Sequence, residues 1–450
     1  MNRSRIDAYI MEKEALPEVT RESLDALKLG KLNALLKREK ERGGFYKNLP
    51  ERLDSLEELK NLPFTTEENL AQNAPGLLLC SQSKIRRVLS DATSGTTGAA
   101  KRVFYTEGDL ENTIQLYMAG LGELIFPGSV TLICFPFSGP FGLGELIAEA
   151  ITRLGARPVK AGPFLSFGEY AALMESEKPD TFVGMPVQLL GILRFCGKGS
   201  LRRALVSGDA CPDSVMSGCE EILGTKLFPH YGSREMGMAG AISCEAREGM
   251  HLRENDVVAE IVDEDGRVLP TGERGELVVT TIGMEAMPLI RYRTGDCTRI
   301  LPGHCPCGSA ALRLDRVTRK ASALSADALD EILFADPTVV DCRYEHAGER
   351  LAITALTNGA SGETALLSRL RAAVPALQIV LTTRPAGPEE HALYVGKRTI
   401  ARPVAPDAKE QEIWFQGFTK RKQKAKKPRN INTCEVMSNE YTDLRQIEML

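Results

Sequence analysis

The chain has 450 residues, a formal net charge of −4 and 11 cysteines. This length favours a large core divided into two domains, because single cores rarely grow beyond about 250–300 residues. The basic residues of the body are dispersed, which excludes a nucleic-acid-binding surface there and favours a small-molecule partner.

The location of the protein is predicted from its apolar runs and its cysteines. No apolar run approaches the roughly 20 residues that span a bilayer, and the first residues, MNRSRIDAYIMEKEALPEV, are charged where a signal peptide would be apolar. An odd number of scattered cysteines favours reduced thiols with a metal-binding subset over disulfides. We therefore expect a cytoplasmic protein without membrane contact.

The first 75 residues are expected to form a helical N-terminal part. Helical spacing of apolar residues predicts helices at Ser23–Leu36 and Leu53–Leu62, and a strand is predicted at Arg102–Tyr105. From Val130 onwards, short apolar runs alternate with helical patterns, which indicates β-α-β units and a parallel sheet. These segments are VTLICF, GELIAEAITRLG, TFVGM and RRALVSG.

Two β-rich stretches then make the sheet mixed. VVAEIVD and GELVVTT flank the turn-forming segment EDGRVLPTGERG, which predicts a hairpin or meander. Further along the chain, periodicity predicts helices at Ala326–Phe334 and Thr364–Ala373, and strands at Leu351–Leu356 and Gln378–Thr382.

The predicted fold class is therefore α/β. Residues 1–316 are expected to form a large N-terminal domain with mixed and parallel sheets and helices, and residues 317–408 a small α+β C-terminal domain. Residues 409–450 contain TKRKQKAKKPRN, with seven basic residues in twelve, and are expected to be a solvated, disordered tail. Contact of this tail with nucleic acid or an anionic membrane is the alternative.

The segment TSGTTGAAK at residues 93–101 has the composition of a phosphate-binding loop. Glycines let backbone N–H groups approach phosphate oxygens, the hydroxyls add donors, and Lys101 adds positive charge. It differs from the G-x-x-x-x-G-K-[ST] loop because Arg102 follows the lysine, and a generic Ser/Thr/Gly turn is the alternative. The predicted nucleotide-binding residues here are Ser94, Gly95, Thr96, Thr97, Gly98 and Lys101.

Two further motifs follow in a fixed order, YGSRE at residues 231–235 and RYRTGD at residues 291–296. Together with TSGTTGAAK they resemble the adenylate-forming acyl-CoA synthetases, and within them the phenylacetate-CoA ligase-like group. The resemblance extends to about Arg316, and departs from the usual pattern at Ala100, normally proline, and at Arg234, normally threonine or serine. It implies a ligase that uses ATP to convert a carboxylic acid, such as the aryl acid phenylacetate, to an acyl-adenylate and then to an acyl-CoA.

The resemblance also implies roles for individual residues. Glu235 would be a ligand of Mg²⁺, Asp296 would accept hydrogen bonds from the ribose hydroxyls, and Tyr231 would stack on adenine. For Glu235, a surface salt bridge is the alternative. Arg234 would contact the phosphate or turn outward to pair with a surface acid. Further nucleotide contacts are implied for Gly208, Asp209, Gly232 and Ser233.

In the resembled family the C-terminal domain rotates between the two half-reactions. Asp315 and Arg316 are the candidate hinge, and Lys397 is the candidate lysine that stabilises charge on the α-phosphate. A solvated strand-end lysine is the alternative, and Lys320 or Arg398 could share the role. The segment VTRKASALSAD replaces the usual glycine-rich hinge sequence, so the acyl acceptor stays open.

Three functional hypotheses therefore remain. The first is an acid–CoA ligase that takes a small carboxylic acid, ATP and CoA. The second is acid adenylation with transfer to a carrier protein or another nucleophile, and the third is a degenerate nucleotide-binding or scaffold protein. Whether the protein forms a homodimer is left open.

A split set of soft ligands predicts a metal site. Cys244, His251, Cys305 and Cys307 would suit a tetrahedral structural zinc ion, which the phenylacetate-CoA ligase-like group often carries. His304 is an alternative ligand, and four unrelated side chains are the alternative reading. The acid itself is expected to contact residues 135–139 and 184–186, whose apolar character suits an aryl or medium acyl group.

Overall fold

The structure, a computed structural model, describes residues 4–91, 101–319, 324–359, 362–394 and 397–401. The part of the chain up to Ala401 forms one compact unit. The predicted phosphate-loop residues 94–98, Lys320 and the tail 409–450 lie outside the described residues. In the ranges that are described, none of the helices is both long and apolar enough to cross a bilayer.

The N-terminal residues are helical, as predicted. They form α1 (Arg5–Glu14), α2 (Arg21–Arg42) and α3 (Glu67–Asn73), with 3-10 helices at Leu56–Asn61, Ala74–Leu77 and Gln82–Lys84. Helix α2 contains the predicted helix and is longer at both ends. It begins after Thr20, whose side chain accepts a hydrogen bond from the N–H of Ser23, and it ends at Gly43, which has a positive φ of 67°.

The predicted helix at Leu53–Leu62 is wrong in type and length, because this segment contains only the 3-10 helix Leu56–Asn61. Leu62 precedes Pro63 and takes an extended backbone, with ψ 149°. The proline ring disfavours helical geometry at the preceding residue, so the helix ends there.

A hairpin and a helix connect the N-terminal part to the main sheet. Strands β1 (Ile85–Asp91) and β2 (Lys101–Thr106) pair antiparallel on either side of the predicted phosphate loop, which confirms the predicted strand. Helix α4 (Glu107–Leu121) follows, and its N-terminus is closed by a capping box between Thr106 and Asp109.

The main sheet has eight strands, in the order β13-β9-β8-β7-β6-β5-β3-β4, and its strands β3 to β7 are parallel. Its elements are β3 (Val130–Ile133), α5 (Leu143–Arg153), β4 (Arg157–Lys160), α6 (Phe167–Glu177), β5 (Thr181–Gly184), α7 (Pro186–Cys196), β6 (Arg203–Val206), α8 (Asp213–Leu223), β7 (Phe228–Tyr231), β8 (Ala241–Ile242), β9 (Met250–Leu252) and, later in the chain, β13 (Arg313–Leu314). The predicted β-α-β units are confirmed.

The predicted hairpin belongs to a second, antiparallel sheet with the order β10-β11-β12-β14. Its strands are β10 (Val257–Val262), β11 (Gly275–Thr281), β12 (Tyr292–Thr298) and β14 (Thr318–Arg319). Strands β12 and β14 pair Asp296 with Arg319. This register places a cationic residue beside the predicted ribose-binding carboxylate.

The third sheet is C-terminal and has the order β17-β16-β15-β18. Its elements are α9 (Ala326–Phe334), β15 (Val339–Ala347), β16 (Arg350–Thr357), α10 (Glu363–Ala373), β17 (Gln378–Pro385) and β18 (Ile400–Ala401). The four predicted elements of this region are confirmed, and the α/β fold class with an α+β C-terminal part is confirmed with them. Strand β15 was missed, because it carries a buried carboxylate, Asp341, in the middle of its apolar run.

Helix α7 lies between the main sheet and the C-terminal sheet, and its residues 186–193 are buried. A Cβ atom added to Gly191 would lie 3.0 Å from the carbonyl oxygen of Val340 on β15. Only glycine allows this approach without displacement of the strand. A shared apolar core therefore joins the C-terminal sheet to the main sheet.

Candidate active site

A cavity of about 390 Å³ opens at the carboxyl ends of strands β6 and β7. In sheets of parallel strands, this edge is the usual place for a ligand. Asp296 of strand β12 and Lys397 also line it. The lining includes the following residues that the sequence predicted: Gly208, Asp209, Tyr231, Gly232, Asp296, Arg316 and Lys397.

The turn after β6 is shaped by a glycine. Gly208 has a positive φ of 88°, and an added Cβ atom would lie 3.0 Å from the ring of Phe135 and 3.5 Å from the side chain of Met185. A side chain at residue 208 would therefore be strained and would crowd both neighbours. Phe135 and Met185 belong to the segments predicted to contact the acid, so these segments adjoin the wall of the cavity.

Tyr231 and Asp296 meet in the cavity although 65 residues separate them in sequence. The Tyr231 hydroxyl donates a hydrogen bond of 2.8 Å to Oδ2 of Asp296, and Arg319 lies 3.4 Å from Oδ1. Burial and then the Asp296 charge raise the pKa of Tyr231, so the phenol stays protonated and donates. The carboxylate of Asp296 is thus held in a fixed orientation.

Glu235 is a buried residue with a cationic partner, which excludes the alternative of a surface salt bridge. It is 5% exposed, and its Oε1 lies 2.7 Å from Nζ of Lys101. Burial opposes ionisation of Glu235, but the Lys101 ammonium outweighs it and holds the carboxyl pKa below its ordinary value. The last residue of the phosphate-loop motif and the last residue of YGSRE therefore form an ion pair.

Arg234 begins the 3-10 helix Arg234–Met236, which follows the cavity residues Tyr231 and Gly232 of the YGSRE motif. Its carbonyl accepts a hydrogen bond of 2.7 Å from the buried hydroxyl of Tyr105. The pKa of Arg87 is lowered, first by burial and also by the Arg234 charge, whereas Tyr105 acts in the opposite direction. Nη2 of Arg87 lies 3.5 Å from Oγ of Ser138, in a segment predicted to contact the acid. Ser233, the residue before Arg234, leads into this short helix.

The structure separates Lys397 from Arg398, one of the two residues suggested to share its role. Lys397 lines the cavity, and burial followed by the Arg319 charge lowers its pKa, whereas the carboxylates of Asp296 and Asp209 act in the opposite direction. Arg398 points away into the C-terminal sheet, where it pairs with acidic side chains. The suggestion that Arg398 shares the role of Lys397 is therefore wrong.

Arg316 connects the cavity to two helices. Its guanidinium pairs with Asp213 at 2.9 Å and with Asp327 at 3.1 Å. Asp213 begins α8 and Asp327 lies in the first turn of α9. The candidate hinge arginine therefore bridges the main sheet region and the C-terminal region.

Sequence reasoning missed Arg319 and His230 among the residues that line the cavity. Arg319 reaches Asp296 only through the pairing of β12 with β14, which no local pattern indicates. His230 lines the cavity beside Tyr231, and its Nδ1 lies 2.7 Å from Oγ of Ser207. Burial and the Arg253 charge lower the pKa of His230 to about 3, so its ring is neutral near pH 7. Its position before the YGSRE motif could have drawn attention to it.

A pH experiment tests the burial of Asp209. Burial raises its pKa to about 6, above the value of about 3.9 in an unfolded chain. Between these values the folded chain holds a proton that the unfolded chain has released, so the contribution of Asp209 to stability falls as the pH rises. We expect the unfolding free energy of wild type minus that of Asp209→Asn, measured in urea, to decrease between about pH 4 and 6 and then level off. A difference that does not change with pH would contradict this assignment.

The four predicted metal ligands form a cluster. The candidate ligand atoms of Cys244, His251, Cys305 and Cys307 all lie within 4.8 Å of one another. Nε2 of His251 faces the Cys307 thiol at 3.3 Å, and its Nδ1 lies 3.1 Å from the carbonyl of Ala311. This carbonyl fixes the tautomer that presents Nε2 to the cluster. Among the described residues, His304 is not part of it.

Known proteins are similar to this chain in sequence and in fold. The family described as AMP-binding enzyme matches residues 91–286. The phenylacetate-coenzyme A ligase of Thermus thermophilus is 32% identical over 329 residues, which cover 68% of this chain and 72% of that protein. The phenylacetate-coenzyme A ligase of Pseudomonas putida is 30% identical over 270 residues, which cover 56% of this chain and 60% of that protein.

The fold is also found in a crystal structure of 2-hydroxyisobutyryl-CoA ligase in the postadenylation state, in complex with R3-HIB-AMP. The TM-score is 0.69 at 18% identity, and the match covers 90% of this chain and 93% of that chain. The chain belongs to the adenylate-forming superfamily, in its phenylacetate-CoA ligase-like group, and its class is that of the AMP-forming acid–CoA ligases.

Proposed function

We propose that the chain activates an aryl carboxylic acid, such as phenylacetate, with ATP to an acyl-adenylate and transfers the acyl group to CoA. The observation that carries this proposal is the convergence of Asp296, Tyr231 and Lys397 on one cavity, with the Lys101–Glu235 pair close by. The names of the two phenylacetate-coenzyme A ligases support an aryl acid.

In the proposed first step, a carboxylate oxygen of the acid forms a bond to the α-phosphorus while the bond to pyrophosphate breaks. Glu235 would hold Mg²⁺, a hard cation that suits a carboxylate together with phosphate oxygens. When bound, this ion would neutralise charge on the leaving pyrophosphate. Lys101 would add positive charge at the phosphates and Lys397 at the α-phosphate, where negative charge develops.

The nucleoside part of ATP would occupy the cavity between β6 and β12. Asp296, held by the Tyr231 hydroxyl, would accept hydrogen bonds from both ribose hydroxyls. The turn at Gly208 and Asp209 would border the adenine, with the Tyr231 ring on its other side. The apolar segments at 135–139 and 184–186 would then receive the acyl group beyond the wall formed by Gly208.

In the proposed second step, the CoA thiol releases its proton to solvent and its sulfur forms a bond to the acyl carbon. The acyl–phosphate bond breaks, and AMP leaves with the electron pair of that bond. Residues 317–408 would act as the mobile domain for this step, with Arg316 at the hinge. Transfer to a carrier-protein thiol is the alternative.

The intact acidic and basic residues of the site do not favour the third hypothesis, a degenerate nucleotide-binding protein. Free cysteines throughout the described residues support a cytoplasmic location.

The Cys/His cluster would hold a structural zinc ion. Three thiolates and one imidazole are a soft donor set that fills a tetrahedral zinc site and leaves no open position for chemistry. The ligands come from β9 and from the loops after β8 and β12, so the ion would fasten these segments together.

The experiment that tests the proposal measures ATP–pyrophosphate exchange across a panel of aryl and alkyl carboxylic acids, followed by detection of thioester after CoA is added. We expect phenylacetate or a related aryl acid to support exchange, and CoA to give the corresponding thioester. Exchange without thioester would favour the carrier-protein alternative. Absence of exchange with every acid would contradict the adenylation proposal.

A further inference from the structure

A buried ionic cluster adjoins Lys397 and has no role in the proposed chemistry. The Arg398 side chain is 5% exposed, and its guanidinium lies 2.8 Å from Oδ2 of Asp330 and 3.0 Å from Oδ1 of Asp341. Both aspartate side chains are at most 4% exposed. Charges are costly to bury unless they are paired and hydrogen-bonded, so such a cluster fixes its members in one arrangement.

The cluster joins elements that are distant in sequence. Asp330 lies on α9, Asp341 lies on β15, and Arg398 stands two residues before β18. A second nitrogen of Arg398, Nη2, donates to Oδ1 of Asp330 at 2.8 Å and to the carbonyl of Cys342 at 2.7 Å. The planar guanidinium therefore satisfies acceptors on a helix and on a strand at once, which an ammonium group cannot reproduce.

The main chain of Arg398 makes a further contact, in the opposite direction. Its N–H donates a hydrogen bond of 2.7 Å to Oδ2 of Asp209, which lines the nucleotide cavity. The side chain is thus held by the C-terminal sheet and the backbone by the cavity wall. Because Lys397 is the neighbouring residue, both contacts restrict where its ammonium group can lie.

The chain is held on both sides of this point. Before it, the N–H of Leu393 donates to Oδ2 of Asp341 at 2.6 Å. After it, Ile400 pairs with Tyr344 at the start of the parallel β15–β18 pairing. Asp341 therefore holds two parts of the segment, one through Leu393 and one through Arg398.

We propose that Arg398 is a positioning residue of the adenylation step, a buried anchor that sets the Lys397 ammonium in the nucleotide cavity. This inference rests on the proposed role of Lys397 in that step. Arg398 does not touch the reactants and acts only through its neighbour. Its effect should therefore be confined to the half-reaction that uses Lys397, and should disappear when Lys397 is removed.

The test uses the full chain with Arg398→Lys, which keeps the charge but cannot bridge Asp330 and Asp341 as the guanidinium does. Phenylacetate-dependent ATP–pyrophosphate exchange is expected to fall about 100-fold, the size of effect caused by a displacement of about 1 Å at a reacting group. Thioester formation from supplied phenylacetyl-adenylate and CoA should stay within about threefold, since it does not use this lysine. Arg343→Lys is the matched control, because Arg343 pairs with Glu345 on the surface of the same sheet, and it should change neither rate.

A double-mutant cycle distinguishes positioning from general damage. Arg398→Lys combined with Lys397→Ala should exchange no more slowly than Lys397→Ala alone, whereas independent effects would multiply. If Arg398→Lys fails to fold, the triple variant Arg398→Met, Asp330→Asn, Asp341→Asn removes the anchor without leaving a buried unpaired charge, and the same loss of exchange is expected.

Three results would overturn the inference: unchanged exchange in a folded Arg398 variant, equal losses in both half-reactions, or multiplicative effects in the cycle. The outcome for the proposed function is separate. If the wild-type chain exchanges with no acid, the proposed function fails. If the wild-type chain exchanges and the Arg398 variants do so equally well, only the anchor fails.

Discussion

Replacement of Glu235 by glutamine is expected to lower acid-dependent ATP–pyrophosphate exchange by at least about 100-fold, the loss typical of removing one group that stabilises transition-state charge. The substitution keeps the shape of the side chain but removes the charge that would hold Mg²⁺. It also leaves the Lys101 ammonium without its partner at 2.7 Å. The measurement is the rate of exchange at saturating ATP, with magnesium varied.

Glu67 provides the matched control for this experiment. Its carboxylate lies 3.5 Å from the same Lys101 ammonium, but its side chain is 61% exposed. Water screens such a pair, so Glu67→Gln should change exchange by less than about threefold. If Glu235→Gln keeps more than about a tenth of the wild-type rate, Glu235 is not the magnesium ligand of this reaction.

Replacement of Cys305 by serine is expected to release zinc and to lower the free energy of unfolding by at least about 3 kcal/mol. Cys305 is buried, at 4% exposure, and is one of four donors whose loss would leave an incomplete site. A structural ion contributes to stability because the unfolded chain does not present the assembled ligands. Zinc bound per chain and urea unfolding are the two measurements.

Cys196→Ser is the control for the zinc experiment. Cys196 lies outside the cluster and is half-buried. Its thiol donates to the carbonyl of Phe167 at 3.5 Å, which a serine hydroxyl can also do. Its zinc content should equal that of wild type, and its stability should change by less than about 1 kcal/mol. A wild-type chain that binds no zinc, or a Cys305→Ser variant of unchanged stability, would contradict the structural zinc site.

The departure at Arg234 changes the charge near Arg87. In place of a small hydroxyl, the chain has a guanidinium in a half-buried region together with Arg87. The Arg234 charge contributes, after burial, to the lowered pKa of Arg87.

The sequence by itself determined the elements whose patterns are local. Helix Ala326–Phe334 and strand Gly275–Thr281 begin and end at the predicted residues, since periodicity and neighbouring turn residues act within a few positions. The motif residues Glu235 and Asp296 were predicted as site residues from sequence, because the resemblance supplied candidates that composition alone does not. The helix predicted at Leu53–Leu62 was wrong, because Pro63 disfavours helical geometry at Leu62 despite the helical spacing of the apolar residues.

Only the tertiary structure decided which of these residues meet. The pairing of β12 with β14 brings Arg319 to Asp296, and the hairpin of β1 and β2 brings Lys101 to Glu235. No local sequence pattern predicts such contacts, because strand order and register depend on burying the face of a sheet against elements that are distant in sequence. Strand β15 was missed for the same reason, because Asp341 interrupts its apolar run. A buried carboxylate is tolerated there only because Arg398, from far along the chain, pairs with it.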